Sequence, residues 1–178
     1  MIDGFYKIDN VFTEEQRQKL ISDFKPFLVD GKQQSAFGIT SSFDIPEYPE
    51  GFEWFKVSFP TLHLVPQFEE LHKNVVDLIK KECGLNLEID KSWVNLSKGK
   101  RKKVQYHTHP GGPDYSCVYY MKIFPFFSNG TLFKDYGLIK VKQNSLMIFD
   151  SNLEHSTPSS PLSFERYTWA MDLNTKKI

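Results

Sequence analysis

The sequence predicts a mainly antiparallel β domain, a sandwich or jelly roll, preceded by two helices. Three observations carry that prediction. From Leu85 onward, short strand-like runs follow one another with no helical run among them. Turn-forming residues separate these runs. The helical spacing of apolar residues is confined to the part before Gly84. A chain of 178 residues fits one domain with a real core. Its 1–84 part is helical and irregular, and 85–178 is the jelly-roll body. Sixteen phenylalanines and an aromatic content of 15% suit a bulky β core.

In chain order, Thr13 is an N-cap and Gln16 stands at N3, a capping box that opens the first helix. Leu20, Ile21 and Phe24 carry its apolar face until Pro26 interferes. Residues 29–52 hold Gly31, Gly38, Pro46, Pro49 and Gly51, which reads as an irregular segment with one or two short strands around Ala36 to Phe43. The strongest helix spans 66–83: Phe68, Leu71, Val75, Val76, Leu78 and Ile79 recur at helical spacing, Pro66 opens it and Gly84 closes it. Strands follow at 85–89, 92–97, 104–109, 115–124, 130–134, 138–141, 145–150 and 166–173. The helices are expected to cover one outer face of the sandwich.

Lys plus Arg equals Asp plus Glu, 22 each, so no overall field draws the chain to nucleic acid or to a membrane. The run Lys98-Gly99-Lys100-Arg101-Lys102-Lys103 could bind phosphate or an acidic peptide, but a solvated hairpin is the simpler account. Cys83 and Cys117 have no framework spacing, which points to a reducing cytosol. The opening MIDGFYKIDN lacks the pattern of a signal peptide, and no stretch approaches the roughly 18 apolar residues of a membrane span. A cytoplasmic protein is expected.

Three of the five histidines fall in two spots, His107-Thr108-His109 and His155. Residues i and i+2 of a strand point to one face, so an HxH pair aims two imidazoles at one point. A third imidazole from a neighbouring strand would complete one face of a metal and leave open positions, as catalytic metals require. Arg166 follows His155 on the next strand and could grip a carboxylate bidentately. Thr168 would face the same way, and Tyr119 or Tyr120 could add a hydroxyl. His63 and His72, in helical or pre-helical settings, are expected to be structural. Trp54, Trp93 and Trp169 are expected in the core.

These pieces occur in a particular order: SWVN at Ser92 to Asn95, HTHPGG at His107 to Gly112, SCVYYM at Ser116 to Met121, SLMIFDSNLEHSTP at Ser145 to Pro158, and RYTWAMDLN at Arg166 to Asn174. In that order, over about half the chain, the sequence resembles the iron(II)- and 2-oxoglutarate-dependent oxygenases. It looks most like the small phage and bacterial subgroup with an HxHP motif, distantly similar to prolyl hydroxylases. The resemblance implies a double-stranded β-helix, cupin-like, that binds Fe(II) and 2-oxoglutarate and uses O2, with ascorbate as an optional reductant. It implies His107 and His155 as metal ligands, Arg166 as the clamp on the far carboxylate of 2-oxoglutarate, and Tyr120 and Thr168 as helpers there. The reaction implied is decarboxylation of 2-oxoglutarate to succinate and carbon dioxide, coupled to hydroxylation of a protein side chain or a small molecule. If the gene is phage-borne, the place of action is the host cytoplasm.

The chain departs from the wider superfamily by carrying His109 where HxD or HxE is usual. His109 is favoured as the remaining ligand. Asp114, folded back from the next loop, and a vacant carboxylate position are the alternatives. A three-histidine face carries one negative charge less than the usual triad. It would also suit a cupin-like metal enzyme that does not use 2-oxoglutarate. A metal-free jelly-roll binding module is a further alternative.

Overall fold

The computed structural model describes residues 4–31, 52–100, 106–109, 112–126 and 129–177. In chain order the elements are β1 (Phe5–Asp9), α1 (Glu14–Phe24), β2 (Val29–Asp30), β3 (Phe52–Val57), α2 (Glu69–Cys83), β4 (Leu87–Gly99), β5 (Tyr115–Lys122), β6 (Gly130–Phe133), β7 (Gly137–Lys140), β8 (Ser145–Asp150), β9 (His155–Ser156) and β10 (Phe164–Thr175). One sheet has seven strands in the order β1-β8-β5-β10-β4-β3-β2, and the other has three, β7-β6-β9. All the strand pairings within them are antiparallel. From β5 onward the chain passes back and forth between the sheets, which lays them face to face as a double-stranded β-helix.

Local chemistry sets the helix ends. The capping box at α1 forms: Thr13 Oγ1 accepts from Gln16 N–H, and Gln16 Oε1 accepts from Thr13 N–H. Pro26 ends the helix in a short 3₁₀ turn, Lys25–Phe27. Gly84 closes α2 in the left-handed region at φ 73°, where a side chain would be strained. Pro66–Phe68 is a separate 3₁₀ turn and not the first turn of α2. The backbone leaves the helical region at Phe68 (φ −109°, ψ 2°), whose buried ring packs on Phe24 and Phe27.

The two expected runs 85–89 and 92–97 are one strand, β4. Asp172 of β10 pairs with Lys91 and Leu173 with Ile89, so Asp90 is a bulge. The bulge shifts the phase of the alternation, which made one strand look like two. The N-terminal part contributes more than helices: β1 pairs with β8, and β2 and β3 extend the large sheet beyond β4. The strands expected around Ala36 to Phe43, and Val104 and Gln105 ahead of the HxH pair, lie outside the described residues.

As expected, the helices cover the outer face of the large sheet. Leu20, Phe24, Phe68, Val75 and Ile79 pack with Val94, Tyr119, Leu146, Trp169 and Met171. A second core lies between the sheets and includes Phe5, Tyr120, Phe133, Met147 and Phe149. Among the described residues, no helix is long and apolar enough to cross a membrane.

Candidate active site

The inner face of β10 is where the sheet turns polar. Strand alternation puts Tyr167, Trp169, Met171 and Leu173 against the helices, so Arg166, Thr168, Ala170 and Asp172 face the space between the sheets. All four are buried. Their register partners extend this face: Tyr120 and Asn95 flank Thr168, Val118 and Trp93 flank Ala170, and Ser116 and Lys91 flank Asp172. A bulge sits near each end of the row. One is at Asp90, and the other is at Met121, where β5 gains a residue between the partners of Tyr167 and Thr168. The buried Arg17 donates to the carbonyl of Met121.

The three histidines meet at one end of this space. His107 and His155 form an isolated antiparallel bridge, each N–H donating to the other's carbonyl at 3.0 Å. His109 N–H donates to Ser151 O at 3.2 Å, continuing the pairing along the segment before β9. The ring centroids are 4.4 Å apart for His107 and His155, 5.4 Å for His107 and His109, and 5.3 Å for His109 and His155. One ligand-capable nitrogen from each ring lies within 4.8 Å of the others, a spread that suits ligands of a single metal ion.

Two of the rings are fixed by their second nitrogen. His155 Nδ1 donates to the Leu153 carbonyl at 2.7 Å, which leaves the Nε2 lone pair for the cluster. His109 Nδ1 lies 2.8 Å from Asp172 Oδ1 and donates to it, with the same consequence. Phe149 packs edge-on against His155 at 4.7 Å, and Trp93 stacks on His109 at 6.2 Å. Burial, and then the neighbouring His107, hold His155 down at about 3, so its ring is neutral and has a lone pair to give. Neutral imidazoles suit Fe(II), Co(II), Ni(II) or Zn(II) better than Mg(II) or Ca(II).

Asp114 is turned elsewhere. Its Oδ2 accepts from Thr175 N–H at 2.7 Å, and that bond draws its carboxyl below the usual range. A pocket of about 450 Å³ reaches both Asp114 and His109. Of the two side chains, however, the ring of His109 is the one that joins His107 and His155.

Along β10 from the cluster lies the guanidinium of Arg166, 5% exposed. Its Nη2 donates to the Gly130 carbonyl at 3.0 Å, and its Cζ lies 5.2 Å over the ring of Tyr120. Gly130 is required there: a Cβ would come within 2.0 Å of the Ile139 carbonyl oxygen. The Tyr120 hydroxyl bonds Thr131 Oγ1 at 2.6 Å across the two sheets, and burial pushes Tyr120 up to about 12. Arg166, Tyr120, Thr131 and Thr168 thus give a buried cation with three hydroxyls nearby, a donor set suited to one carboxylate. Glu165, which could have drawn Arg166 into a surface pair, is instead bonded to Lys122.

Sequence reasoning brought Arg166, Thr168 and Tyr120 to one face, but missed Asp172, Trp93 and the role of Thr131. Asp172 did carry a signal, because a carboxylate in phase with Arg166 and Thr168 on a strongly apolar strand is unusual. Trp93, expected in the core, is half-buried and stacks on His109.

No protein-family model and no curated protein matches the sequence. Solved structures do. The chain superposes on HygX from Streptomyces hygroscopicus, solved with nickel and 2-oxoglutarate bound, with a TM-score of 0.61 at 12% identity, covering 97% of this chain and 83% of that one. EctD from S. alaskensis, solved with bound Fe, gives 0.65 at 14% identity, with 97% and 73% covered. A Pseudomonas putida prolyl-4-hydroxylase gives 0.56 at 12% identity, with 98% and 94% covered. At these identities the likeness establishes the fold, a double-stranded β-helix that this chain shares with structures of 2-oxoglutarate and iron proteins.

Proposed function

We propose that the chain is an Fe(II)- and 2-oxoglutarate-dependent oxygenase that hydroxylates a protein side chain or a small molecule. One observation carries this reading: three histidine rings converge at one end of an inner face whose other end holds the buried Arg166. His107, His109 and His155 would hold the metal, and Arg166, Tyr120 and Thr168 the far carboxylate of 2-oxoglutarate. The HxHP order at His107 to Pro110 supports a place in the phage and bacterial subgroup. The solved structures of similar fold favour the same chemistry, since HygX was solved with nickel and 2-oxoglutarate.

When bound, iron, 2-oxoglutarate and O2 would supply the oxidising chemistry: succinate and carbon dioxide form, and one oxygen atom is inserted into a C–H bond. The protein's own part is positional. Arg166 offers a fork of N–H donors to a diacid, and the phenol of Tyr120 holds the guanidinium from one side. Ala170, between Thr168 and Asp172 in the inner row, presents only a methyl group. Phe149 and Phe133 wall the His155 side and keep bulk water from it.

The test is succinate release by purified protein supplied with Fe(II), 2-oxoglutarate and O2. Arg166→Ala should abolish 2-oxoglutarate binding while metal still binds. Wild-type protein that binds metal yet never turns over or binds 2-oxoglutarate would sink the proposal. The all-imidazole donor set favours a second reading, a cupin-like metal enzyme that needs no co-substrate. Oxygen consumption that is independent of 2-oxoglutarate and unaffected by Arg166→Ala would select it.

A further inference from the structure

We propose that Asp172 supplies the carboxylate of the metal centre at one remove, through His109 and not on the ion. The inference rests on the reading that the three histidines hold a metal. Asp172 lies on the inner face of β10, with its side chain 5% exposed, and its Oδ1 bonds His109 Nδ1 at 2.8 Å. A carboxylate accepts and does not donate, so this bond keeps the proton on Nδ1 and turns the Nε2 lone pair toward His107 and His155.

The surroundings hold that arrangement. Trp93 stacks on the His109 ring with the two planes 28° apart. The Asp90 bulge shifts the β4–β10 register just beyond Asp172. Ser116 pairs with Asp172 across the β5–β10 ladder, and its buried hydroxyl has no partner among the described residues.

A buried carboxylate is costly unless it serves a charge. Three imidazoles bring no charge to a divalent ion, and a carboxylate behind one of them returns a single negative charge to the centre. The position that a direct aspartate or glutamate ligand would take then belongs to an imidazole. Such a site should prefer Fe(II), Co(II) and Ni(II) to Mn(II) more strongly than a site with a direct carboxylate ligand does.

The experiment is Co(II) titration of the metal-free full chain, followed by visible absorption, for wild type, Asp172→Asn, Asp172→Ala, His109→Ala and the double variant His109→Ala/Asp172→Asn. Asn keeps an acceptor and loses the charge, so affinity should fall about ten-fold, and for Ala up to about a hundred-fold. In the His109→Ala background, Asp172→Asn should have no further effect, because the coupling runs through that ring. The thermal midpoint of each metal-free variant shows that it folds, with Ala as the second probe beside the near-isosteric Asn. Tight binding to wild type and equal binding to both Asp172 variants overturns the proposal and leaves the metal site standing. An undiminished effect in the His109→Ala background also overturns it, by making Asp172 a structural residue. Wild-type protein that takes up no Co(II) removes both the proposal and the reading beneath it.

Discussion

On the outer face of β10, Tyr167, Trp169, Met171 and Leu173 sit against two helices. On the inner face, Arg166, Thr168, Ala170 and Asp172 look between the sheets, and both rows are buried. Among the described residues, the Tyr167 hydroxyl of the outer row donates to the Ile21 carbonyl at 3.4 Å, and a polar knot around Trp169 is closed. His72 Nδ1 donates to the Phe68 carbonyl at 2.7 Å, the Ser92 hydroxyl donates to His72 Nε2 at 2.8 Å, and Trp169 Nε1–H donates to the Ser92 oxygen at 2.7 Å. Every polar atom there has a use within the fold. On the inner side, Nδ1 of His109 and of His155 is bonded within the fold, which leaves Nε2 of each for the cluster with His107, and a guanidinium is held beside a phenol. The outer face explains why the protein folds. The inner face buries polar groups at a cost in stability, and the proposed binding of a metal and a diacid would account for that cost.

The largest expected effects test that division directly. Arg166→Met replaces a buried cation with an apolar chain of similar length. It should raise the KM for 2-oxoglutarate by two orders of magnitude or more, since losing one partner of a buried charged contact costs roughly 2–5 kcal/mol. The urea midpoint should hold or rise, because buried charges exchanged for apolar groups often stabilise. Trp169→Ala, three residues along the strand, should do the reverse. It should cost about 3–5 kcal/mol of stability and leave the metal affinity of the folded fraction unchanged. If both variants lost stability alike, the functional reading of the inner face would be wrong.

A smaller effect comes from pH. Burial holds His72 down at about 4, against 6.5 for an ordinary histidine. Between those values the unfolded chain binds a proton that the folded chain does not. The stability that His72 contributes is therefore full above about pH 6.5 and is lost as pH falls toward 4, by on the order of 2–3 kcal/mol, and the buried His155, held down at about 3, loses a share over the same range. Urea midpoints of the metal-free protein at pH 7 and pH 4.5 measure the loss. His72→Gln should remove roughly half of it, the rest belonging largely to His155, and an unchanged slope in that variant would assign the effect to other groups.

Much of this was legible in the sequence. The alternation from Leu85 onward gave the jelly roll, and the Thr13–Gln16 box gave the first helix. HxH with a distant histidine pointed to the cluster, although Tyr106 to His109 form no strand and His107 makes only an isolated bridge with His155. What was hidden depends on pairing across the sheet. β1 and β3 draw their strand character from partners far along the chain, β8 and β4. Asp90 shows as a bulge only once β10 lies beside it. Asp172 reads as a stray acid until the loop bearing His109 folds over it, since those residues stand 63 positions apart.

The finest test compares one hydroxyl from each face. Ser92 bridges His72 and Trp169 on the outer side, and Thr131 bonds the Tyr120 hydroxyl on the inner side. Ser92→Ala leaves an indole N–H and an imidazole nitrogen unpaired, which should lower stability by about 1–2 kcal/mol and leave 2-oxoglutarate affinity alone. Thr131→Val keeps the shape and removes the partner that orients Tyr120 beside Arg166. Its cost, about 1 kcal/mol, should appear as a roughly five-fold weaker 2-oxoglutarate affinity with an unchanged urea midpoint. The two losses are nearly equal in size, so their separation into a folding readout and a binding readout isolates what each face of β10 is for. Should Thr131→Val instead shift the urea midpoint and spare 2-oxoglutarate, the Tyr120–Thr131 contact would be a brace between the sheets, and Arg166 would hold its diacid without it.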